Sequence, residues 1–123
     1  MGQTIQDVTD AELAVLRYLW DHGSSSIRQI ADIVYPRGRA SDYATVQKLL
    51  ERLEFKGAVA RQRTTPAHVF TAAICRDTLI GHRLRQIADK VCCGSFTPIL
   101  SHLVRNERLN KEDIKALRAI LHD

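Results

Sequence analysis

Apolar residues recur at helical spacing along most of this chain, and capping residues, glycines and prolines mark the breaks between stretches. Leu13, Leu16 and Trp20, with Val15 and Leu19 beside them, form the first apolar stripe. Thr9 precedes it with Glu12 three residues on, the spacing of a capping box, and His22-Gly23 closes it. Residues 24–26 are serines and read as a short polar connection. Ile27, Ile30, Ala31 and Val34 make a second, shorter helix, with Ser26 as cap and Gln29 at N3. Pro36 stops it, because the residue before a proline is pushed out of the α region. In the third helix Val46, Leu49, Leu50 and Leu53 fall at i, i+3, i+4 and i+7. Ser41 or Asp42 is its expected cap, and Lys56-Gly57 its end.

The period then changes. Residues 58–63 alternate as a strand does, residues 64–67 are turn-like, and residues 68–72 have the β-branched and aromatic content of a second strand. Together they predict a β-hairpin whose first strand is basic. From Arg76 the pattern is helical again, with Ile80, Leu84, Ile87, Ala88 and Val91 on one stripe ending at Gly94. Thr97 is the expected N-cap of a further helix with Pro98 at its first position, and Ile99, Leu100, Leu103 and Val104 follow. Asn110 caps the last, with Asp113 at N3 and Ile114, Leu117, Ile120 and Leu121 along it.

Three helices and then a hairpin is the order of a winged helix–turn–helix. The fold class expected is therefore mainly α with a small β-hairpin wing, followed by a C-terminal helical dimerisation region. The expected division is 1–74, a winged-helix DNA-binding domain, and 75–123, the helical region. The latter is too short to bury a core alone. Its stripes need a partner, either a second copy of the chain or the winged domain itself, and the second copy is the simpler. The residues expected at that dimer interface are Ile80, Leu84, Ile87, Val91, Ile99, Leu100, Leu103, Ile114, Leu117 and Leu121.

Composition narrows the class. The chain has 123 residues, 45% hydrophobic and 26% charged, enough for one compact domain or two very small ones. Uninterrupted apolar runs stop at about four residues, so no span of a bilayer is expected. Residues 1–10 lack the basic flank and apolar stretch of a secretion signal, so a cytoplasmic location is expected. Three cysteines, Cys75, Cys92 and Cys93, are an odd number without a CxxC pair, so neither a disulfide framework nor a zinc site is expected. No metal and no cofactor is expected. Cys92 and Cys93 are adjacent. They are candidates for redox pairing across chains, against the plainer reading of small residues at a helix end.

Charge says more through its distribution than its total. The net charge is +4. Residues 1–34 carry two basic and five acidic side chains, whereas residues 35–63 carry seven basic and three acidic. The basic segment coincides with the turn, third helix and first strand that a winged helix sets against DNA. The candidate DNA-binding residues are Arg37 and Arg39 in the turn and Ser41, Tyr43, Thr45, Gln47, Lys48 and Arg52 on the third helix. Arg61 and Arg63, two apart on the strand and so on one face, complete the set. Catalysis is not expected: Cys75 and His82 stand seven apart with no oxyanion loop or nucleophile elbow. His68, His82, His102 and His122 lack metal-ligand spacing. The alternative to an operator-specific DNA reader is a winged helix that binds protein or RNA.

Three stretches resemble the BlaI/MecI/CopY penicillinase-repressor family. They are residues 9–13 with Leu16 and Trp20, residues 44–53 with Lys56-Gly57, and residues 109–114; the similarity runs over about residues 7–121. The resemblance implies a homodimeric repressor with an N-terminal winged helix, a C-terminal dimerisation region and a palindromic operator in double-stranded DNA. It also implies that Thr45, Gln47 and Lys48 face that DNA, with Arg52 on the same helix and Arg61 and Arg63 in the wing. Members that respond to β-lactams are cleaved at an Asn-Phe bond, which makes a sensor protease a candidate partner, but Ser101 and His102 stand at the matching positions. Copper-responsive members end in a cysteine cluster, and no cysteine follows Cys93.

Overall fold

The computed structural model describes residues 7–63, 68–106 and 109–122. The turn expected at 64–67 lies outside them. The contacts separate two compact units, Met1–Ile80 and Gly81–Asp123.

The first unit opens on helix α1, Asp10–His22. Its capping box is complete: Thr9 Oγ1 accepts from the Glu12 amide at 3.2 Å, and the Thr9 amide donates to Glu12 Oε1 at 2.9 Å. Helix α2, Ile27–Val34, has the same device in Ser26 and Gln29, and ends before Tyr35-Pro36. Helix α3 spans Ala40–Phe55. Its cap corrects the expectation of Ser41 or Asp42. The N-cap is Arg39, two residues before Ser41, and the helix starts at Ala40. Asp42, now at N3, accepts from the Arg39 amide at 3.3 Å. Only this half of a capping box is available, because arginine has no side-chain oxygen to return the bond.

Two antiparallel strands follow, β1 at Val59–Arg63 and β2 at His68–Ala72, in the register Val59 to Ala72, Arg61 to Phe70 and Arg63 to His68. Ser25 was expected in a polar connection. Instead it is buried and bridges Phe70, donating and accepting through its main chain at 2.9 and 2.8 Å. The segment between α1 and α2 thereby forms a third rung beside the hairpin.

The core of this unit is the apolar stripe of each element turned inward: Leu16 and Leu19 of α1, Ile30 of α2, Leu50 and Leu53 of α3, and Phe70 of β2. Burial of a side chain of this size contributes about 1.5–3 kcal/mol. Trp20 extends the packing by donating its indole N–H to the Ile74 carbonyl at 2.9 Å. Helix α4 spans Arg76–Val91, and its Leu79 joins the same core, which carries the unit past residue 74.

The second unit holds the rest of α4 with α5, Thr97–Arg105, and α6, Lys111–Leu121. Helix α6 has the expected Asn110–Asp113 box. Helix α5 departs from expectation: Thr97 is its first residue, its N-cap is Phe96, and the Thr97 amide is satisfied by Ser95 Oγ at 3.2 Å. Neither α5 nor α6 buries a residue. Among the described residues no helix is long and apolar enough to cross a membrane.

Candidate nucleic-acid interface

Helix α3 is positioned by its buried stripe. Val46, Leu49, Leu50 and Leu53 face the core, and the opposite side is left to solvent. Ser41, Thr45, Gln47, Lys48 and Arg52 are all exposed there. At about 100° per residue, Thr45 and Gln47 stand about 160° apart around the axis, with Lys48 between them. The face is therefore a broad arc with a cation near its middle, not a single narrow line. Thr45 Oγ1 donates to the Ser41 carbonyl at 2.9 Å, which orients its methyl and hydroxyl.

Tyr43 sits differently from the other candidates. It is half-buried on the side toward α2, and its hydroxyl donates to Asp32 Oδ1 at 3.0 Å. This bond ties α2 to the first turn of α3, so Tyr43 holds the helix–turn–helix angle in addition to lying near its surface. Arg37 and Arg39 are exposed in the turn, whose Gly38 has φ +69°. A side chain there would be strained, because L-residues rarely occupy that region. Farther along α3, Lys48, Glu51, Arg52, Phe55 and Lys56 line a groove of about 320 Å³, and Phe55 is 82% exposed.

The two wing arginines share a strand face but not a setting. Arg63, at the end of β1, is exposed. Arg61 lies opposite Phe70 in register and spreads its guanidinium over that ring, 4.9 Å from the centroid. Its Nη2 is 3.1 Å from Glu54 Oε1 and its Nη1 donates to His68 Nδ1 at 3.3 Å. Its side chain is 21% exposed.

At the C-terminal end of α3, Lys56 Nζ pairs with Glu12 Oε1 and donates to the Asp7 carbonyl at 2.6 Å. The Glu12 side chain is fully buried. Burial pushes its carboxyl up, but the Lys56 ammonium and the hydrogen bonds of Thr9 outweigh that and hold it below the usual carboxylate range. Sequence reasoning assigned Glu12 only to the cap and Lys56 only to the helix end. It also missed Glu54 as the partner of Arg61. Each pair joins separate elements, and no local spacing signals it.

All three cysteines are free. Cys92 is half-buried beside Ile87, Ile99 and Leu103, whereas Cys93 is exposed with φ 53°. Cys75 Sγ lies 3.1 Å from Thr78 Oγ1, whose hydrogen bonding draws the thiol below its ordinary range. Among the described residues no three metal-ligating side chains converge.

The chain is similar to known proteins over nearly all its length. The model of the family described as penicillinase repressor matches residues 8–123. The penicillinase repressor of Bacillus licheniformis is 25% identical over 121 residues, covering 97% of this chain and 92% of that protein. The transcriptional regulator BlaI of Mycobacterium tuberculosis is 32% identical over 114 residues, covering 91% of this chain and 80% of that protein. The solution structure of the DNA-binding domain of the repressor BlaI superposes with a TM-score of 0.51 at 29% identity, covering 62% of this chain and 90% of that domain. With its helices, wing and third rung in winged-helix order, the chain belongs to the penicillinase repressor family, a family of DNA-binding transcriptional repressors and not of enzymes.

Proposed function

We propose that this chain acts in the cytoplasm as a homodimer that binds a palindromic operator in double-stranded DNA, represses transcription there and releases the site on a signal. The observation that carries this reading is the exposed arc of α3, flanked by Arg37 and Arg39 in the turn and Arg63 at the wing. In this reading Thr45 and Gln47 meet base edges in the major groove, Lys48 and Arg52 reach bases or the nearer strand, and Ser41 and the arginines hold phosphates. Phosphate contacts fix the register, and the base contacts carry the sequence preference.

The dimer is supported by the second unit. Its apolar residues are at the right spacing yet stay in solvent: Leu84 is 37% exposed, Leu103 40%, Leu117 40% and Val91 76%. A surface of this kind marks an association site. A second copy of the same chain provides the matching face and doubles the DNA contacts.

The test is selection of bound duplexes from a random pool by the intact chain, with the mass of the complex measured alongside. A two-fold-symmetric sequence held by two chains is expected. Bound pools without symmetry, or one chain per duplex, contradict the reading.

A further inference from the structure

We propose that Arg61 is a positioning residue of the wing, held by Glu54 and Phe70, and that it takes no phosphate. The proposal rests on the DNA-binding reading above and redistributes the roles of its two wing arginines. Three contacts surround the guanidinium: Glu54 Oε1 at 3.1 Å, His68 Nδ1 at 3.3 Å and the Phe70 ring at 4.9 Å. The Arg61 Nε is buried without a hydrogen-bond partner among the described residues. Guanidinium has no acceptor atoms, so Arg61 is the donor at both His68 and Glu54.

The geometry joins three elements. Glu54 is in the last turn of α3, Arg61 is the middle of β1, and His68 and Phe70 are on β2. Phe70 is also the residue whose main chain Ser25 bridges, and its side chain is buried, so the arginine rests on a ring held in the core. A planar cation that stacks on a ring and forks between a carboxylate and an imidazole is an arginine arrangement that lysine does not reproduce. To reach a phosphate, Arg61 must leave Glu54 and uncover Phe70. Arg63, two residues on along the same face and exposed, needs no such rearrangement.

The two roles differ in their salt dependence. Each phosphate neutralised releases counterions worth about 0.9 in the log–log salt slope. A residue that only positions the wing changes affinity without changing that slope. The probe is a duplex that the wild-type chain itself selects from a random pool, and binding is measured across a salt series. Arg61→Ala and Arg61→Lys are both expected to weaken binding about five- to thirtyfold with the slope unchanged. Arg63→Ala is expected to flatten the slope by about 1.8 for a dimer, one phosphate at each half-site.

Glu54→Gln keeps the Arg61 charge and opens the latch from its other end. It is expected to weaken binding at an unchanged slope, with faster hydrogen exchange of the β1 amides. If Arg61→Ala flattens the slope as Arg63→Ala does, if Arg61→Lys restores wild-type affinity, or if Glu54→Gln tightens binding, the positioning role is overturned. A wild-type chain that selects no duplex and shows no salt slope overturns the DNA-binding reading instead, so the two failures are distinct.

Discussion

Lys56, at the end of the third helix, closes onto Glu12 in the first turn of the first, with the lysine ammonium on a carboxylate that has no solvent exposure of its own. The pair ties the C-terminal end of α3 to the start of α1. Glu12 Oε1 serves twice, accepting from Lys56 and from the Thr9 amide. The same carboxylate therefore caps α1 and anchors α3.

Breaking this pair from one side leaves a buried charge without its partner. Lys56→Met is expected to cost about 3–5 kcal/mol in urea unfolding. Combining it with Glu12→Gln is expected to recover more than half of that loss, because no charge is then left buried. Equal losses in the single and double variants would show that the pair is not coupled.

Acid should weaken the fold through the same residue. The folded Glu12 carboxyl lies below its ordinary range, so the unfolded chain takes up the proton first as pH falls. Its contribution is whole above the ordinary glutamate value of about 4.3, and it is lost as pH falls from there through the lowered folded value. Thermal unfolding across that interval is expected to lose stability more steeply in the wild type than in Glu12→Gln. Parallel curves for the two proteins contradict this assignment.

The exposed arc of α3 and the wing should separate by sequence dependence. Gln47→Ala is expected to relax base preference at one position, a loss of about 1–3 kcal/mol confined to matched duplexes. Arg63→Ala is expected to weaken matched and random duplexes alike. Competition binding against singly altered duplexes distinguishes them, and identical behaviour of the two variants would remove Gln47 from the base-reading set.

The dimer can be tested without DNA. Leu117 is 40% exposed on α6, where a charge costs little in an isolated chain but much in an apolar interface. Leu117→Glu is expected to sediment near 13.9 kDa, the mass of one chain, while the wild type sediments at twice that. It should retain α-helical circular dichroism from the first unit. A wild type of single-chain mass contradicts the dimer.

Sequence and structure agree most closely where the physics is local. The boxes Thr9–Glu12, Ser26–Gln29 and Asn110–Asp113 each join residues three apart, and each is formed as spacing alone indicates. The inward stripe of α3 was legible for the same reason, since periodicity encodes a face. The start of α3 was misplaced because Asp42 is a good capping residue at either of two positions, and its use at N3 depends on how the turn delivers Arg39.

Contacts between distant residues were not legible. Ser25 reads as one of three loop serines, and only the fold brings it to Phe70. Arg61 and Arg63 look alike on a strand. Glu54, seven residues back and across Gly57, is what separates them. The stripes of α4 and α6 were correctly spaced, but periodicity does not say that Leu84 and Leu117 remain in solvent in a single chain.

The salt dependence of binding to the selected palindrome, set beside a random duplex of equal length, tests the central claim most directly. With about four phosphates neutralised by each of two protomers, the log–log slope is expected near −7. The palindrome is expected to bind about a thousandfold or more tighter than the random duplex. A slope near zero, or equal affinity for the two duplexes, would contradict an operator-binding dimer built on the exposed face of α3.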